Sequence, residues 1–165
     1  MNELTGADIF RLRDALEKES AFALGAAMFA FSGLDMNLGL MVASALRNTG
    51  RDAQVPRADA MSFHVRLDFI QKYLESDANL PPKALREMQQ WLTDAHRARL
   101  ERNQLVHGRW STDPLRGKAL NIVGLPSSDA QQVFEYTVEE LQNVGAGFIQ
   151  LNSRLSKARM RWHLP

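Results

Sequence analysis

The sequence predicts an all-α fold: an up-and-down bundle of four to five helices with a small β-hairpin inserted before the last. Three observations carry that expectation. Apolar residues recur at steps of three and four along several separate stretches, the period at which one helix face meets a core. The first proline is Pro56, so nothing in the opening stretch forces a helix to end. Turn residues gather instead in residues 109–125, where the helical period lapses.

Each element has its own start and stop. Thr5 followed by Asp8 suits a helix N-cap, opening a helix that runs towards Asn48 with room for a break near Ser20. Asn48, Thr49 and Gly50 stop it, and a polar loop covers residues 50–57. Phe63, Leu67, Ile70 and Leu74 mark an amphipathic helix to about Glu75, broken by residues 76–79. Pro81 and Pro82 fit a first helical turn, and neither Pro nor Gly follows until Gly108, which closes a long helix after His107. Trp110, then Asp113-Pro114 and Gly117, then residues 119–123 read as the hairpin. Thr137 with Glu140 forms a capping box for a last helix that carries Leu141, Val144, Phe148, Leu151 and Leu155 on one face. Gly145-Ala146-Gly147 follows no strand, so it suits close packing better than nucleotide binding. No repeat or linker divides the chain, so residues 1–165 are expected to form a single domain.

Composition narrows the function classes. With 45% hydrophobic and 24% charged residues over 165 positions, the chain has globular proportions. A net charge of +1 gives no overall field for nucleic acid or an anionic surface, so such partners would need a local patch. The absence of cysteine excludes disulfides, thiolate metal sites and cysteine nucleophiles, and fits a reducing compartment. Residues 1–20 carry Glu3, Asp8, Asp14, Glu17 and Glu19 without an apolar core, unlike a signal peptide, so the expected location is the cytoplasm. Residues 21–46 contain one charge, Asp35, and are long enough to cross a bilayer. A carboxylate at mid-span costs about 2.5–3.5 kcal/mol on insertion, and the ends lack aromatic belts. The stretch is therefore read as a central buried helix, with no membrane partner.

Two charges interrupt apolar seams. Ala84, Met88, Trp91, Ala95 and Ala98 lead to Arg102 and then Leu105; Ala21, Leu24, Met28 and Phe31 lead to Asp35 and then Leu38, Val42 and Ala45. A charge on a core-facing seam requires a partner, which leads to the expectation of an Asp35–Arg102 ion pair. Gly25, Ser32 and Gly39 recur every seven residues beside the second seam and would admit a close helix neighbour.

The most concentrated chemistry lies at the end of the long helix. Asn103 and His107 are four apart and share a face, with Arg102 about a quarter turn round. Such residues at a helix end also suit a C-terminal cap, where the helix dipole favours a cation. As it stands, Arg102-Asn103-Gln104-Leu105-Val106-His107-Gly108 resembles the signature of the HEPN superfamily, an Arg and a polar residue followed at short spacing by a His. More loosely, the Phe31-Ser32-Gly33-Leu34-Asp35 stretch, the helical hairpin and the capped last helix resemble the same family. The resemblance implies an all-α homodimer with the two motifs facing one another across a cleft, and in many members a metal-independent endoribonuclease of toxin or phage-defence systems. It further implies RNA as substrate, an antitoxin protein as partner, Arg102, Asn103 and His107 as catalytic residues and Asp35 as an acidic helper. Where silenced members carry a Tyr two residues beyond the His, this chain has Arg109.

These residue types suit the chemistry without the family name. Cleaving RNA through its own 2′-hydroxyl needs a proton acceptor, a proton donor and a cation for the phosphorane. Histidine titrates near neutrality and serves either proton role, while arginine presents a permanent planar fork to phosphate oxygens. With one His per cluster, a symmetric dimer would supply the second. Arg99 and Arg109 are added as substrate-binding candidates, because residues 83–118 hold eight basic and four acidic residues. Arg154, Lys157, Arg159 and Arg161 with Trp162 offer a second basic stretch, though a dipole-favoured helix end accounts for them equally. His64, His96 and His163 form no His-x-x-x-His or Glu-x-x-His pair, so no metal and no cofactor is expected. The competing reading is a noncatalytic helical module whose cleft binds a partner protein or nucleotide.

Overall fold

A helix of 43 residues, α1 (Gly6–Asn48), opens the computed structural model, which describes residues 4–125 and 131–165. Its N-terminus is the expected cap: Asp8 N–H donates to Thr5 Oγ1, and Thr5 N–H and Oγ1 donate back to Asp8. The helix runs unbroken through Ser20, which is buried and has no Gly or Pro beside it. A 3₁₀ turn (Asp52–Gln54) and a short helix, α2 (Val55–Ala58), lie where a loop was expected. Then come α3 (Phe63–Ser76), capped by Ser62, and α4 (Pro82–His107). The chain ends in α5 (Val138–Trp162), whose capping box is formed by Thr137 and Glu140. The structure is mostly helical, 73%, in line with the helical class.

Between α4 and α5 the expected hairpin is a three-stranded antiparallel sheet: β1 (Arg109–Asp113), β2 (Lys118–Val123) and β3 (Gln132–Tyr136), in the order β1-β2-β3. Arg109 pairs with Ile122 at one end of the hairpin and Asp113 with Lys118 at the other; Ala119 also pairs with Tyr136. Gly117, with φ +61°, supplies the left-handed residue of the hairpin turn.

Contacts divide the chain into two compact units, each built from discontinuous segments. The first comprises the described residues within Met1–Ala30 and Arg102–Gly147. Its core is Ala23, Leu105, Ala119 and Leu141, flanked by Leu24, Met28, Trp110, Tyr136, Val138 and Val144. Trp110 and Tyr136 rings lie 5.7 Å apart. Of the anticipated seam of α1, Leu24 and Met28 pack on this core while Ala21 is exposed, and Ala23 and Ala27 are buried beside them. Gly145 of α5 admits Ala27 closely, for an added Cβ would stand 3.3 Å from Ala27 Cα. The close approach expected at Gly25 is not found among the described residues, none of which lies within 4 Å of a Cβ built there.

The second unit comprises Phe31–Glu101 and Phe148–Pro165. Phe31 packs on Phe63 (4.8 Å) and edge-on to Phe148 (5.3 Å), and Leu34, Leu38, Met41, Leu67, Ile70, Met88, Trp91 and Leu155 are fully buried around them. Trp91 meets its polar requirement by donating to Leu151 O at 2.9 Å. The anticipated partner of Asp35 was Arg102; its partner in the structure is Arg66 of α3, whose Nη1 lies 2.7 Å from Oδ1. Arg66 also donates to the carbonyls of Asp35, Ala58 and Asp59, so a charge buried at 8% exposure is satisfied at every arm. Gly39 leaves the room for that guanidinium, with Nη1 3.1 Å from where a Cβ would stand. Two of the four basic residues in the last part of α5 bind α4: Arg154 meets Asp94 at 2.8 Å, and Arg161, with Trp162 Nε1, meets Glu87. Among the described helices, α1 alone is long and apolar enough to cross a membrane.

Candidate active site at the end of helix α4

The last turn of any α-helix leaves four carbonyls without intrahelical partners. In α4 two of these are taken up by side chains of the sheet. Asn121 on β2 donates Nδ2–H to Gln104 O at 2.9 Å, and Trp110 on β1 donates its indole N–H to Leu105 O at 3.0 Å. Gln104 in turn donates its side-chain amide to the Tyr136 hydroxyl at 2.6 Å. The sheet thus fixes the turn from which the polar cluster projects.

Gly108 follows directly. Its φ is not positive, so it is not the left-handed helix stop expected from sequence. Space requires it: a Cβ at this position would fall 1.3 Å from Asn121 Oδ1. Asn121 is fully buried, and its Oδ1 accepts no hydrogen bond among the described residues.

On this turn Arg102 and Asn103 are half-buried and His107 is exposed. Arg102 Nη1 donates to Asn103 Oδ1 at 3.1 Å, so these two candidates are joined directly. Arg109 is exposed on β1 and donates to Gly124 O at 2.7 Å. The neighbouring basic residues are partly neutralised, because Arg116 forms a bidentate pair with Glu135 and Lys118 lies 3.6 Å from Glu140. The local positive field is correspondingly weaker than a count of charges suggests. Asp35 and Arg99 belong to the second unit, Asp35 bound to Arg66 and Arg99 half-buried beside His96.

A second cluster, in the second unit, was not anticipated. His64 and Asp68 stand one turn apart on α3, with Nε2 and Oδ2 3.5 Å apart, and His96 Nε2 on α4 lies 4.0 Å from Asp68 Oδ1. The two imidazoles meet edge to face at 5.5 Å. Burial pushes the His96 pKa below its ordinary value; the Asp68 carboxylate opposes that, and His64 and Arg99 add to it. The missed signal was the His-x-x-x-Asp spacing, which shares the i,i+4 geometry of the His pairs sought.

Compared with protein families, curated proteins and solved structures, the chain matches none. What either cluster does must therefore be read from its own chemistry.

Proposed function

We propose that the protein is a metal-independent endoribonuclease of HEPN type, an up-and-down helical bundle that completes its active site across a homodimer. The observation that carries this reading is the joined Arg102–Asn103 pair with an exposed His107 beyond it, on a turn anchored by Asn121 and Trp110. Arg102 holds the non-bridging oxygens of a phosphodiester, and Asn103 orients the guanidinium through the bond it already accepts. One His107 takes the proton of the 2′-hydroxyl as that oxygen attacks phosphorus, and the partner subunit's His107 protonates the departing 5′-oxygen. A cyclic phosphate and a 5′-hydroxyl result, with the proton count balanced. A cytoplasmic toxin or defence role, held in check by an antitoxin protein, follows from the same family reading.

Incubating RNA with the protein in excess chelator tests it. Wild-type cleavage is expected to fall by about 100-fold or more in His107→Ala and in Arg102→Ala, the scale of a lost proton-transfer group. Equal cleavage by all three proteins would refute it. One observation favours the second reading, a noncatalytic module that docks a partner protein or binds a nucleotide: Phe22 and Phe29 of α1 are 77% and 85% exposed. That reading predicts no cleavage by any of the three.

A further inference from the structure

We propose that His64, Asp68 and His96 form a binding site for a divalent first-row transition ion, zinc above all, with solvent completing the coordination. Each offers one donor atom, and all three atoms lie within 4.8 Å of one another. Zinc bonds to imidazole nitrogen and carboxylate oxygen are about 2.0–2.2 Å long, which sets neighbouring tetrahedral donors roughly 3.3–3.5 Å apart. His64 Nε2 already stands at that distance, 3.5 Å, from Asp68 Oδ2, while His96 Nε2 lies 4.0 Å from the other carboxylate oxygen, Oδ1, so rotation of the Asp68 carboxylate and the imidazoles has to draw the donors in from their 4.8 Å spread.

The donor types fit the ion. Two imidazoles and one carboxylate suit zinc and its neighbours rather than calcium or magnesium, which take oxygen ligands. The supporting elements are rigid. The start of α3 is capped by Ser62, and buried Arg66, between the two α3 ligands in sequence, is tied to Asp35, Ala58 and Asp59. Asp68 between two imidazoles supplies the negative charge a dication needs, while Arg99 close to His96 favours an anion, hydroxide or an oxyanion, in the open position.

Three protein ligands with an open fourth position characterise sites that exchange ligands, in contrast to closed four-ligand structural sites. The side chains of His64, Asp68 and His96 are 49%, 42% and 30% exposed, so solvent reaches the ion. Among the described residues neither imidazole donates a hydrogen bond to a carboxylate or carbonyl that would orient it. Absent supports of that kind weaken metal affinity about 10- to 100-fold, so binding should be reversible by chelator.

The test uses untagged full-length protein stripped with chelator, titrated with zinc by calorimetry and with cobalt by visible absorption. One ion per chain is expected, with a cobalt ligand-field band that zinc abolishes and a zinc-dependent rise in melting temperature from the α3–α4 cross-link. Asp68→Asn and His96→Ala should each weaken binding by 100-fold or more, whereas His163→Ala should leave it unchanged. Absence of stoichiometric binding, or binding retained in both site variants, overturns the proposal. Should His96→Ala fail to fold, His64→Ala at the more exposed position decides by the same criterion. RNA cleavage in chelator is read separately, so the two proposals stand or fall apart.

Discussion

Replacing Gly108 with alanine places a methyl group 1.3 Å from Asn121 Oδ1, 2.3 Å from Cγ and 2.8 Å from Nδ2. No small relaxation relieves that overlap, so the Asn121 side chain must leave its pocket, and its bond to Gln104 O breaks. Overpacking costs about 1–3 kcal/mol and stranding a buried carbonyl and amide about 1–3 kcal/mol; displacing the amide relieves part of the overpacking, so the two do not add in full and a loss of roughly 2–4 kcal/mol is expected. For a chain of this length that lowers the melting temperature by about 5–15 °C. Calorimetry of Gly108→Ala, Asn121→Ala and the double variant measures the coupling. Because Gly108 does not need a positive φ, alanine is tolerated once the amide is gone, and the double variant should cost no more than Asn121→Ala alone by over about 0.5 kcal/mol. Additive costs, or a Gly108→Ala penalty below about 0.5 kcal/mol, would refute the steric account.

Three further outcomes follow from the same geometry. Arg66→Ala removes the partner of Asp35 and strands three carbonyls, for an expected loss of roughly 2–4 kcal/mol by chemical denaturation, while Asp35→Asn keeps a hydrogen-bond acceptor and costs less. Tyr136→Phe releases the Gln104 side chain, with an expected cost of about 1 kcal/mol in stability and a drop in RNA cleavage from looser placement of the motif. Glu140 is held below its ordinary pKa by Thr137, so its folded form binds fewer protons than the unfolded chain, and its contribution is present above the usual carboxylate range and lost as pH falls through the lowered value. The melting-temperature gap between wild type and Glu140→Gln should therefore close on acidification; a gap that widens would contradict the capping role.

Helix starts were legible because they are local. Thr5 with Asp8 and Thr137 with Glu140 are contiguous signals whose hydrogen bonds form within the first turn. The third strand was hidden because Gln132–Tyr136 is short and abuts the capping box that drew attention to the helix after it. The partner of Asp35 is not legible in the sequence because Arg66 interrupts no apolar seam and stands next to core residue Leu67, where a sequence pattern assigns it to solvent. Only tertiary packing brings it inward. The sequence marks Gly108 as a helix terminator on conformational grounds, yet what requires the glycine is a side chain thirteen residues later. The one hint was Asn121 itself, an amide set between Leu120 and Ile122 in mid-strand, a residue type that strands seldom favour.

The claim on which the functional account rests is that two His107 residues, one from each subunit, act in a single reaction. Mixing wild-type protein with His107→Ala and re-equilibrating the dimers measures this directly, by RNA cleavage in chelator per wild-type chain. An equimolar mixture should retain roughly half the activity per wild-type chain, falling towards zero with excess variant, because mixed dimers carry only one His107. Full activity per wild-type chain at every ratio would contradict the shared site.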